Sequence, residues 1–303
     1  MSRLIYSAPI FAALLAFIYA RYNSYAPSIT LPFSMTQTST PTSASSPTLN
    51  DQKPRGGESV LMDQIVLFGD SITQGAWVPA GTGSTMAIAY QRKLDIMNRG
   101  LSGYNTAWAL PVIKQWLPRV GERLPKIRML AIWFGANDAA LPTSPQHATL
   151  DDFKANLLTI LDLVRSPSSP YYSPSTVPVL ITPPPVDSNV RNNELTSRIP
   201  PRVPDRDSEM TRLYAEAVKQ VGQEQKVHVV DVWTAIDTKA KEAGGLAKYL
   251  SDGLHLTAEG YEVVTYEIAR LIIEQLPELH WEKLPQVFPH WEDCIPEAQR
   301  FKD

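Results

Sequence analysis

Cysteine is almost absent: Cys294 is the only one in 303 residues. An intrachain disulfide is therefore impossible, and a thiolate metal cluster cannot be built. No sign of charge dominates, with 28 Lys and Arg against 31 Asp and Glu, and no long basic run occurs. A nucleic-acid partner is not expected. The chain has no Asn-x-Ser/Thr sequon, which disfavours passage through a glycosylating compartment. His147, His228, His280 and His290 show no paired ligand spacing and no His-Glu-x-x-His motif, so no metal is called for. Gly81-Thr82-Gly83 lacks the third glycine of a dinucleotide fingerprint, and a Walker lysine motif is missing. A nucleotide cofactor is not expected either.

What is present begins with an apolar run from Leu4 to Ala20, flanked by Arg3 and Arg21. Its length suits a tilted membrane span or a long signal-peptide core. Ile18 and Ala20 make a poor small-x-small cleavage pattern, which favours an uncleaved N-terminal anchor over a cleaved secretory or mitochondrial segment. With arginine at both ends, the positive-inside rule selects no orientation. Residues 22–60 are rich in Ser, Thr and Pro, as in Thr38-Ser39-Thr40-Pro41. They cannot bury enough apolar surface to offset their ordering entropy, so a disordered tether is expected. The reading is thus an anchor or signal segment at 1–21, a tether at 22–60, and a folded domain with a C-terminal tail at 61–303.

Within that domain, apolar strand patterns alternate with helical ones. Gln64–Gly69 reads as a buried parallel strand, and Asp95–Arg99, Met129–Phe134, Val177–Thr182 and Val227–Val232 as four further strands. Ser84–Lys93, Tyr104–Leu117, Leu150–Val164, Glu209–Val221 and Ala258–Leu276 read as helices; in the third, Phe153, Leu157, Ile160, Leu161 and Val164 share one face. This alternation predicts an α/β fold, a three-layer α/β/α sandwich around a parallel sheet of about five strands. Two stretches rich in Pro, Ser and Arg, Ser166–Thr176 and Asn189–Asp207, read as irregular surface insertions that could cover a site.

Ligand sites on parallel sheets lie beyond the carboxyl ends of the strands. Three polar motifs fall there: Gly69-Asp70-Ser71-Ile72-Thr73, Arg99-Gly100-Leu101-Ser102-Gly103-Tyr104-Asn105 and Gly135-Ala136-Asn137-Asp138. A fourth, Ser251-Asp252-Gly253-Leu254-His255, precedes the last helix. Acyl transfer from an ester requires a hydroxyl, an imidazole to take its proton, a carboxylate to fix the imidazole, and donors facing the oxyanion. Ser71 offers the hydroxyl. Asp252 and His255 sit three residues apart, so the carboxylate can reach the nearer ring nitrogen. The Ser71 and Gly103 amides and the Asn137 side chain offer donors.

Each of these residues also has a purely structural reading. Ser71 or Asp252 can cap a helix, Gly103 can serve a turn, Asn137 can cap or turn, and His255 can be a satisfied core histidine. Together, in order and at strand ends, they read as a catalytic set. Asp70 and Asp138 read as loop-bracing acceptors. Trp77, Trp108 and Trp133 are equally suited to a substrate pocket and to core packing.

These four blocks resemble those of the GDSL, or SGNH, hydrolases, with Ile72 where leucine is commonest. Phe68-Gly69-Asp70-Ser71-Ile72-Thr73, Asn98-Arg99-Gly100, Trp108-Ala109-Leu110, Phe134-Gly135-Ala136-Asn137-Asp138-Ala139, Asp252-Gly253-Leu254-His255-Leu256 and the tail around Trp291 resemble the isoamyl acetate-hydrolysing esterase branch. The resemblance implies a flavodoxin-like SGNH fold and no cofactor. It implies catalytic roles for Ser71, Asp252 and His255, and oxyanion binding by Gly103 and Asn137. The implied substrate is a small-molecule ester, with short acyl chains such as acetates first. A lysophospholipase or thioesterase and a carbohydrate deacetylase remain as enzyme alternatives, and a membrane-tethered non-enzymatic module as the alternative from another class. The acyl chain, the alcohol and the oligomeric state stay open.

Overall fold

Five short segments pair side by side, all parallel: β1 (Gln64–Gly69), β2 (Asp95–Gly100), β3 (Ile127–Trp133), β4 (Val177–Ile181) and β5 (His228–Val230). In the computed structural model, which describes residues 60–288, the sheet order is β2-β1-β3-β4-β5. This is a flavodoxin-like order. Residues Met62–Leu284 form one compact unit. The anchor, the tether and the tail with His290, Trp291 and Cys294 lie outside the described residues, apart from Val60 at the tether's end and Leu61. Among the described residues no helix is long and apolar enough to cross a membrane.

Successive strand side chains point to opposite faces, and here both faces are covered. Ile65, Leu67, Met129, Ala131 and Val179 pack into one core layer. On that side lie α2 (Thr82–Ala89), α7 (Val232–Ala243) and α8 (Ala258–Gln275), which contribute Met86, Ile236, Val263 and Ile268 among others. The alternate residues Val66, Phe68, Leu130, Ile132 and Leu180 pack into a second layer with α3 (Thr106–Trp116), α4 (Leu150–Arg165) and α6 (Ser208–Gln225). The result is the α/β/α sandwich. The short α1 (Ser71–Gln74) and α5 (Ser188–Thr196) complete the α-helices of this unit.

Three sequence expectations need correction. The segment 189–207 is not irregular throughout, because α5 occupies its first half. Asp187 caps that helix by accepting from the Val190 N–H. Its inward positions are Arg191 and Leu195, and the arginine hides the apolar period. The fifth strand is shorter than Val227–Val232. Asp231 ends it by accepting from the Thr234 N–H, which starts α7, a helix the sequence reading passed over. The segment 166–176 does lack regular structure. It cannot cover a site at the carboxyl ends of the strands, however, because it leads into the amino end of β4, where Thr176 Oγ1 donates to the Ile127 carbonyl at 2.8 Å.

Register positions the site. Gly69 lies level with Gly100 on one side and Trp133 on the other. The loops after β1, β2 and β3 therefore leave the sheet at one height, beside the reversal of strand order where crevices form.

Candidate active site

The turn after β1 carries Ser71. A Cβ on Gly69 would lie 2.3 Å from the Trp133 carbonyl oxygen and 2.1 Å from Thr73 Oγ1, so only glycine lets the chain turn this close to β3. Asp70 caps α1 with a 2.9 Å bond from the Ile72 N–H. Tyr261 on α8 donates to the Ile72 carbonyl at 2.6 Å. The Ser71 turn is thus fixed from both ends.

Against it stands the loop before α8. Ser71 Oγ and His255 Nε2 are 3.0 Å apart, across 184 residues of sequence. His255 Nδ1 is 2.9 Å from Asp252 Oδ2. A carboxylate only accepts, so Nδ1 carries the proton and Nε2 presents its lone pair to the serine hydroxyl. Asp252 Oδ1 accepts from the His255 and Leu254 N–H groups at 2.8 and 3.0 Å. Burial alone would raise this carboxyl; the hydrogen bonds from the His255 ring, the His255 N–H and the Leu254 N–H outweigh it and hold the group well below its usual range. Asp252 is therefore ionised at neutral pH.

The second block meets the first, and the third meets the second. The Leu101 N–H donates to the Gly69 carbonyl, and the Ser102 N–H to Gln74 Oε1 at 2.9 Å. Gly103 has φ +84, while a Cβ there would meet nothing closer than Gln146 Nε2 at 3.6 Å. Backbone conformation, not space, favours glycine. Buried Asn137 donates through Nδ2 to the Tyr104 carbonyl at 2.9 Å, and one Nδ2 hydrogen remains beyond that bond. Asp138 accepts from the Thr106 N–H and hydroxyl at 2.9 and 2.5 Å. Asp70 and Asp138 thus brace loops. Burial pushes Asp70 up to about 7 and Asp138 up to about 6.

Of the three tryptophans, Trp133 is buried, with Nε1 donating to the Thr182 carbonyl at 3.0 Å, and belongs to the core. Trp77 packs half-buried against the same core layer. Trp108 is exposed on α3, edge-on to Tyr104.

Sequence reasoning missed three polar residues. Arg191 donates to Asp252 Oδ2 at 2.7 Å. Arg206 donates to Asn137 Oδ1 at 2.8 Å. Gln146 reaches the Gly103 carbonyl at 2.8 Å. The available signal was weak: the cap pattern Asp187-Ser188 before α5, and the charged run Asp205-Arg206-Asp207 before α6.

A serine hydroxyl, an imidazole and an ionised carboxylate in series, at the carboxyl edge of a parallel sheet, make up the equipment of a serine-type ester hydrolase. Comparison with known proteins narrows the class. Residues 67–263 match the model of the GDSL-like Lipase/Acylhydrolase family. A GDSL esterase/lipase of Arabidopsis thaliana is 38% identical over 237 residues, covering 76% of this chain and 93% of the relative. The isoamyl acetate-hydrolyzing esterase 1 homolog of Mus musculus is 33% identical over 250 residues, covering 80% and 92%. The lipase/acylhydrolase structure from Enterococcus faecalis superposes with a TM-score of 0.51 at 26% identity, covering 74% and 98% of the two chains. The chain belongs to the GDSL-like lipase/acylhydrolase family and is a carboxylic ester hydrolase.

Proposed function

We propose that the protein hydrolyses short-chain acyl esters, acetates of small alcohols first, through an acyl-enzyme on Ser71. The observation that carries this reading is the continuous series Ser71 Oγ, His255 Nε2, His255 Nδ1, Asp252 Oδ2, with links of 3.0 and 2.9 Å. His255 takes the hydroxyl proton as Oγ attacks the ester carbonyl, and ionised Asp252 stabilises the imidazolium. The Asn137 side-chain amide, the Gly103 N–H and the Ser71 N–H are the donors for the oxyanion. The tetrahedral intermediate collapses, His255 protonates the departing alkoxide, and the alcohol leaves the acyl group on Ser71. Water then attacks the acyl carbonyl, giving its proton to His255. The second collapse returns that proton to Ser71 Oγ and releases the carboxylic acid.

Support for short acyl chains comes from relatives named isoamyl acetate-hydrolyzing esterase 1 homologs, similar over most of their length. The test is a panel of p-nitrophenyl acetate, butyrate, octanoate and palmitate, with isoamyl acetate as the natural-type ester. Acetate or butyrate should give the highest kcat/KM, with palmitate lower by at least ~10-fold. A maximum at palmitate would overturn the chain-length assignment and leave the ester chemistry intact.

A further inference from the structure

Arg206 is among the largest fully buried side chains, although it is a cation. A buried guanidinium needs partners, since taking a charge out of water is costly, and the partners here converge on the oxyanion donors. Its Nη2 donates to Asn137 Oδ1 at 2.8 Å and to Gln146 Oε1 at 3.2 Å. Its Nη1 meets Asp205 Oδ2 at 2.9 Å, and Asp70 and Arg191 face it as further charges. The backbone holds the residue in place. Arg206 forms an antiparallel bridge with Ala140, just past the Asn137 loop. The Leu141 N–H donates to the Asp205 carbonyl at 2.9 Å, and Asp207 caps α6 by accepting from the Met210 N–H.

Consider what a donor-only group does to two amides. Each amide can be flipped, exchanging its oxygen for its NH2. Arg206 has no acceptor, so the atoms it meets on Asn137 and Gln146 are oxygens. The Tyr104 and Gly103 carbonyls accept only, so the atoms facing them are the NH2 groups. With its oxygen held by Arg206, Asn137 directs NH2 toward Tyr104 and the site. With its oxygen held too, Gln146 presents NH2 to the Gly103 carbonyl. The cation also polarises the Asn137 amide, making its N–H a better donor.

We propose that Arg206, acting through Asn137 and Gln146, is a positioning residue that sets the orientation of the oxyanion donors. The proposal rests on the oxyanion assignment above. Arg206 is fully buried and acts through Asn137 and Gln146, so its loss weakens transition-state binding with little effect on ground-state binding.

The experiment is a double-mutant cycle on the full chain with p-nitrophenyl acetate. Arg206→Met should lower kcat ~10- to 100-fold, with KM changed by less than about 3-fold. In an Asn137→Ala background the same substitution should cost less than about 3-fold more, because residues acting as a unit are not additive. Arg206→Lys should recover part of the loss by keeping a donor. If the losses of Asn137→Ala and Arg206→Met multiply, Arg206 is a structural brace only and the proposal fails. An unchanged kcat in Asn137→Ala overturns the oxyanion assignment and the proposal together, so the two failures are distinguishable. Should Arg206→Met not fold, the decision passes to Gln146→Leu at a half-buried position. That substitution should also lower kcat, and non-additively with Asn137→Ala; additive losses there overturn the proposal.

Discussion

Residues 166–176 and 187–207 flank β4 at its two ends, both rich in proline and polar side chains. The first leads into the amino end of the strand. Its side chains close the bottom of the sandwich: Tyr171 donates to the Lys114 carbonyl, and Thr176 to the Ile127 carbonyl. Residues 171–176, with 117–122 and 124–127, help line a cavity of about 220 Å³. The second leaves the carboxyl end of the sheet. It folds part of its length into α5 and delivers Arg191 to Asp252 and Arg206 to Asn137. Similar composition thus serves packing at one end and charge placement at the other. What separates the two segments is which edge of a parallel sheet they join.

Substitutions in either segment test this difference. Arg206 aside, the strongest effect on turnover in the second segment is expected at Arg191. Its 2.7 Å bond to Asp252 is charge-assisted, so Arg191→Met should lower kcat by ~10-fold while leaving KM close to wild type. Unchanged steady-state kinetics would reduce the Arg191 pair to a structural ion pair. At the opposite end, Thr176→Val removes two hydroxyl contacts of a buried residue. It should cost about 1 kcal/mol of stability, read as a Tm lower by roughly 2–4 °C, with kcat unaffected. A large kcat loss would show that the amino end is coupled to the site.

Asp70 brings a pH dependence. Burial, the first cause, pushes Asp70 up to about 7, above its unfolded value of 3.8. Between those values the folded chain binds more protons than the unfolded chain, so this group's contribution to stability falls as pH rises through the window. Asp252, held low, acts oppositely, its contribution being lost only as pH falls below the usual carboxylate range. Asp70→Asn should therefore have a Tm at least about 2 °C above wild type near pH 8, and no advantage near pH 4. Parallel Tm curves for the two proteins would show that Asp70 does not titrate there.

The contrast between the two segments also explains what was legible in the sequence. Phe68, Ile132 and Leu180 announce their strands because both faces of a parallel sheet are buried. Ser71, Gly103, Asn137, Asp252 and His255 stand in short polar blocks, four of them where strands end or the last helix begins. Topology alone gathers such positions. The 187–207 segment carries no such pattern. Arg191 replaces an apolar residue on the inward face of α5, and Arg206 is 69 residues from the amide it holds. Helix α7 was obscured for another reason: the apolar run from Val227 continues past Asp231, and only the cap geometry shows where the strand ends.

The proposed mechanism requires that the His255-linked hydroxyl of Ser71 become acylated. Labelling the protein with a fluorophosphonate and mapping the modified peptide tests it directly. One adduct per chain is expected, on Ser71, absent in Ser71→Ala and formed far more slowly in His255→Gln. An adduct on another residue, or ester hydrolysis undiminished in Ser71→Ala, would remove Ser71 from the role of nucleophile.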